Sequence, residues 1–110
     1  MLLVSGAGDC TVRVWDSYSG QLVRAFEGHS EIVAQAVIGK THVYSCAFDE
    51  TVREWALDGS SERVLYEHSE DCLCIALSAD ESMIASGSDD CSVVLWSLSQ
   101  NCLIKKLSME

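Results

Sequence analysis

The sequence predicts an all-β protein built from three copies of one antiparallel sheet, and three observations carry that expectation. Tryptophan recurs at Trp15, Trp55 and Trp96, with spacings of 40 and 41 residues, a period that marks an array of like units. Six residues before each tryptophan stands an aspartate (Asp9, Asp49, Asp90), and ten before it a serine (Ser5, Ser45, Ser86). Between turn signals the chain alternates apolar and polar residues, as in Val12 and Val14 against Thr11 and Arg13, and no segment shows helical spacing.

The elements follow from this alternation in order. Strands are expected at about 2–6, 11–15 and 21–26, then 32–38, 42–47, 51–56 and 62–66, then 72–78, 83–87, 92–97 and 102–107. The first copy reads "SGAGDCTVRVWD", in which the Gly-Asp-Cys tripeptide turns the chain before the run that ends on Trp15. The other two read "SCAFDETVREWA" and "SGSDDCSVVLWS". Ahead of them lie the connections "IGKT" and "SADES", and the shorter one is expected to tighten its hairpin.

A histidine follows the first two tryptophans, in "EGHS" (His29) and "YEHS" (His68). Taken together these motifs resemble the WD40 family over nearly the whole chain, although only the first copy keeps the terminal Trp-Asp pair. The resemblance implies blades of four strands, lettered a (innermost) to d (outermost), in a WD40-type β-propeller fragment. Its three antiparallel blades would be 1–27, lacking the inner strand, 28–67 and 68–110. Because a blade is apolar on both faces, uncovered blade ends and the open edge of blade one are expected to favour oligomerisation or aggregation. A fragment or short isoform of a longer propeller is the expectation, with assembly of several chains into one ring as the alternative.

The resemblance also implies a structural tetrad: His29, Ser45, Asp49 and Trp55 in blade two, His68, Ser86, Asp90 and Trp96 in blade three, and only Ser5, Asp9 and Trp15 in blade one. The chemistry is a donor-acceptor chain, since an indole only donates, a hydroxyl and a neutral imidazole do both, and a carboxylate only accepts. A chain from Trp through Ser and His to Asp therefore closes in each complete blade, and blade one, without its histidine, is expected to be the weakest. Ser, His and Asp are also the members of a nucleophilic triad. Catalysis is not expected, because the set occurs twice, its serine lies within a strand instead of on a Gly-x-Ser-x-Gly elbow, and the hydroxyl is engaged by tryptophan.

With 17 acidic residues against 7 basic ones, the formal charge of -10 opposes nucleic acid and anionic membranes and favours basic or mixed protein partners. Met1-Leu2-Leu3-Val4 has no basic leader and its apolar run breaks at Ser5-Gly6, so neither a signal peptide nor a span is expected. The six cysteines are then expected as reduced thiols in the cytoplasm or nucleus. Cys72-Leu73-Cys74 lacks a second ligand pair for a metal, and alternation would put both thiols on one face, buried as small hydrophobes. No cofactor or metal is implied. Cys10, Glu50 and Cys91 stand where the resemblance implies a turn glycine, which raises the question of whether those turns keep a left-handed geometry.

By the same resemblance, the d-to-a and b-to-c connections share the rim that carries the histidines. Candidate partner-binding residues there are Gly8, Phe48 and Asp89, with Ser30, Glu31, Ser69, Glu70 and Asp71. Phe48 is an aromatic anchor among acids, with packing against its own blade as the alternative. The implied role is a non-enzymatic protein-interaction scaffold. The alternative is a substrate-recognition subunit of a ubiquitin ligase or chromatin complex that binds a basic or mixed peptide, with a hydrolase a distant third.

Overall fold

The computed structural model describes residues 1–108, so the end of the range 68–110 lies outside the described residues. These residues form eleven strands and no helix. The strands are β1 (Leu2–Gly6), β2 (Thr11–Asp16), β3 (Leu22–Glu27), β4 (Val33–Ile38), β5 (His42–Ala47), β6 (Thr51–Ala56), β7 (Glu62–Glu67), β8 (Cys72–Leu77), β9 (Met83–Ser88), β10 (Ser92–Ser97) and β11 (Cys102–Ser108). Each end falls within one residue of the range read from the alternation, because turn chemistry and period-two patterning agree at every boundary.

Every strand pairs antiparallel with its sequence neighbour inside one of three sheets, ordered β1-β2-β3, β4-β5-β6-β7 and β8-β9-β10-β11. The first sheet therefore has three strands where the others have four, and the arrangement is that of a partial WD40-type propeller. There is no single core. Sheet two presents Val43, Ala47 and Trp55 to Val12, Val14 and Phe26 of sheet one, while Tyr44, Cys46 and Val52 meet Cys72, Ile75 and Ile84 of sheet three. Alternate residues of β5 thus serve opposite interfaces, which is why nearly all of that strand is buried. The outer strand β11 is exposed throughout its length.

A bulge interrupts both described inner strands, between Val33 and Gln35 in β4 and between Cys72 and Cys74 in β8. The extra residue breaks the alternation, and this corrects one expectation: the two thiols do not lie buried together. Cys72 is fully buried, whereas Cys74 is exposed. The bulge also leaves Gln35 positioned to accept a hydrogen bond at Oε1 from the Ile75 amide, 2.9 Å away, which ties the inner strands of sheets two and three together. The "IGKT" hairpin closes with Gly39 N donating to His42 O at 2.8 Å, and Lys40 N donates across the sheet boundary to Glu81 Oε1 at 2.9 Å.

Candidate functional site

The polar residues gather at the rim where β1 turns into β2, β5 into β6 and β9 into β10. Asp49 sits in the turn between β5 and β6, and its Oδ1 accepts from Thr51 N at 3.0 Å and from Thr51 Oγ1 at 2.6 Å. The same clasp recurs from Asp9 to Thr11 and from Asp90 to Ser92. It bends the chain so tightly that the residue after each aspartate has positive φ: 72° at Cys10, 76° at Glu50 and 66° at Cys91. The turns therefore keep the left-handed geometry without glycine. The repeated hydroxyl two residues after each aspartate was a sequence signal for this clasp, and motif reading passed over it.

In sheet two the network is continuous. Trp55 Nε1 donates to Ser45 Oγ at 2.8 Å, Ser45 Oγ lies 2.7 Å from His29 Nε2, and His29 Nδ1 lies 2.8 Å from Asp49 Oδ2. Since the carboxylate only accepts, Nδ1 carries the proton of a neutral ring and Nε2 accepts from the serine hydroxyl. Burial holds the His29 pKa below the usual histidine value, partly offset by the Asp49 hydrogen bond and charge. Burial pushes the Asp49 carboxyl up, but hydrogen bonds from Thr51 and His29 outweigh it and hold the group low.

Sheet three repeats the polar half only. Ser86 Oγ lies 2.8 Å from His68 Nε2, and His68 Nδ1 lies 3.0 Å from Asp90 Oδ2. Trp96 Nε1 is buried with no partner, so the chain from tryptophan to aspartate does not close here, contrary to expectation. One steric difference between the two sheets lies at the residue before the histidine. A Cβ on Gly28 would lie 2.8 Å from Trp55 Cη2, so the seat that Trp55 fills exists only beneath a glycine, and the corresponding residue in sheet three is Glu67. A bulge does not explain it: β2 is shifted at its tryptophan just as β10 is, yet Trp15 Nε1 donates to Ser5 Oγ at 2.9 Å. In sheet one Asp9 turns to Arg13, with Oδ2 2.7 Å from the guanidinium.

The candidate contact residues lie around these networks. Gly8, Ser30, Glu31, Phe48, Ser69, Glu70 and Asp89 are exposed, while Asp71 is half-buried and accepts at its carbonyl from Ser88 Oγ at 2.8 Å. Phe48 is 37% exposed although Ala47 beside it is fully buried, so its ring is not absorbed into its own blade. Its backbone is fixed by donation from Phe48 N to Ile32 O at 2.9 Å, and Ile32 is itself exposed on the neighbouring connection. Among the described residues, no three His, Cys, Asp or Glu side chains gather as a metal site.

Comparison with known proteins agrees with this architecture. A family model described as WD domain, G-beta repeat matches residues 1–16 and 59–97. The chain is 32% identical over 103 residues to WD repeat and SOCS box-containing protein 1 of Xenopus tropicalis, covering 89% of this chain and 24% of that protein. It is 31% identical over 103 residues to the human protein of that name, with the same coverage of 89% and 24%. It is 27% identical over 115 residues to nuclear distribution protein nudF of Aspergillus niger, covering 98% of this chain and 26% of that protein. The chain thus spans about a quarter of the length of these relatives. With half of its residues matched by the family model and three repeat-bearing sheets in place, the chain belongs to the WD40 repeat family.

Proposed function

We propose that the chain is a non-enzymatic docking platform for other proteins, built from the units 1–27, 28–67 and 68–110 and used through the rim that carries the histidine networks. The observation that carries this reading is Phe48, an aromatic side chain 37% exposed on a turn held from below by Asp49 and Thr51. A pre-organised aromatic loses little freedom on binding and makes an effective anchor. Glu31, Glu70 and Asp89 are exposed on the same rim, which suits a peptide that offers lysine or arginine beside an apolar residue. The cytoplasm or nucleus fits a chain whose six cysteines are all free thiols.

The serine networks have triad spacing, but their burial favours architecture over catalysis. Ser45 is 0% and Ser86 4% exposed, and each hydroxyl is already held by its histidine. A second reading, substrate recognition for a ubiquitin ligase, is favoured by the SOCS box in the name of two of the relatives.

Binding of basic, acidic and mixed peptide libraries to the immobilised chain tests both readings. We expect retention of basic or mixed peptides and a loss of about 30-fold in affinity for Phe48→Ala, the size of an anchor residue. An unchanged set of bound peptides with the folded Phe48→Ala protein would remove the rim as the docking site. One narrow peptide class would favour the receptor, whereas recovery of several folded subunits in a parallel capture from cell extract would favour the scaffold.

A further inference from the structure

Cys46 in β5 and Cys72 in β8 are both fully buried and belong to the single apolar cluster between sheets two and three. The internal repeat supplies their geometry. Cys46 follows Ser45 as Gly6 follows Ser5, and Cys72 stands four residues after His68 as Val33 does after His29. At the equivalent position in the array, between sheets one and two, a Cβ on Gly6 would lie 3.1 Å from the Val33 Cβ. That separation is just under the roughly 3.5–4.5 Å between the Cβ atoms of a disulfide, so a slight widening of the same junction accommodates one. Sheets two and three place a cysteine on both sides of it.

We infer that Cys46 and Cys72 form a latent disulfide site between sheets, closed by a peroxide when the two sheets part and locking them when they return. The step balances as two thiols and one peroxide giving one S–S bond and two waters. The first sulfur attacks the peroxide O–O bond, which leaves a sulfenic acid and one water. The second sulfur then displaces that oxygen as the second water, and both thiol protons end in water. In the closed state both sulfurs are shielded from solvent, and the Cys46 sulfur beside it and burial push the Cys72 thiol up while its Sγ donates to Gly87 O at 3.5 Å. Oxidation is thus gated by opening of the interface, whereas Cys74, Cys91 and Cys102 are exposed in the folded chain.

The test uses the whole 110-residue chain with Cys10, Cys74, Cys91 and Cys102 replaced by serine, treated with hydrogen peroxide over a series of urea concentrations below unfolding. We expect the intact mass to fall by two hydrogens, a proteolytic peptide joining Cys46 to Cys72, and a thermal midpoint raised by on the order of 10 °C. Cys72→Ala in the same background should show none of these. Should the quadruple variant not fold, peptide mapping of the oxidised natural sequence reads the same link. The inference is overturned if both thiols still alkylate after treatment at every urea concentration, or if they bond only between molecules.

Discussion

Sheets two and three carry the same serine, histidine and aspartate at matching distances, yet only sheet two connects them to its tryptophan. Trp55 is 1% exposed and satisfied, while Trp96 is less deeply buried and keeps an orphan donor. The lesson is that the network has two separable parts. The Ser-His-Asp part depends on the turn aspartate and its hydroxyl clasp, which both sheets possess. The tryptophan part goes, in sheet two, with a missing Cβ one residue before the histidine, where sheet three carries Glu67.

Removing the serine breaks the comparison most sharply. Ser45→Ala strands two buried groups, the Trp55 donor and the His29 acceptor, and should cost about 3 kcal/mol, since each unsatisfied group costs roughly 1–3 kcal/mol. Ser86→Ala strands only the His68 acceptor, because Trp96 has no bond to lose, and should cost about 1.5 kcal/mol. Urea unfolding of the two variants reads the difference. Equal losses would mean that the Trp55 bond contributes nothing and that the two networks are energetically alike.

Exchanging the residues before the histidines comes next. Gly28→Ala pushes a Cβ into the Trp55 ring and should cost about 2 kcal/mol, the usual scale of overpacking. The reverse change, Glu67→Gly, opens the same seat in sheet three, so that Trp96 should sink and reach Ser86. Its fluorescence should shift to the blue and its indole proton should exchange more slowly with solvent. If Glu67→Gly leaves the Trp96 spectrum as it was, Glu67 is not what holds the indole away.

Much of this was legible in the sequence, and what was not has a common cause. The strand positions were readable because alternation and turns are local properties. The burial of Cys72 apart from Cys74 was not, since a bulge reverses which face a residue occupies and leaves no mark in composition. The tryptophan contacts depend on distances between segments that the spacing of identical residues does not encode. Even so, the glycine of "EGHS" against the glutamate of "YEHS" was the available sign that the two tryptophans sit differently. The exposure of Phe48 was open between core and rim for the same reason: pattern alone does not say which side of a turn a ring falls on.

The smallest effect compares two kinds of turn within sheet two. The turn from β6 to β7 uses Gly59 at φ 79°, where glycine carries no steric penalty, while the turn from β5 to β6 forces Glu50 to φ 76°. A non-glycine residue there is strained by roughly 1–2 kcal/mol, and relieving it with Glu50→Gly is opposed by the greater freedom glycine gives the unfolded chain, about 0.4–1 kcal/mol. The backbone bonds at this position, Glu50 N to Ala47 O at 3.2 Å and His68 N to Glu50 O at 2.7 Å, survive the change because neither uses the side chain. A net gain of about 0.5 kcal/mol is expected, visible as a small rise in the urea midpoint with an unchanged slope. A loss instead of a gain would show that the Asp49 clasp onto Thr51 holds the left-handed turn with so little strain that glycine only adds disorder to the unfolded state.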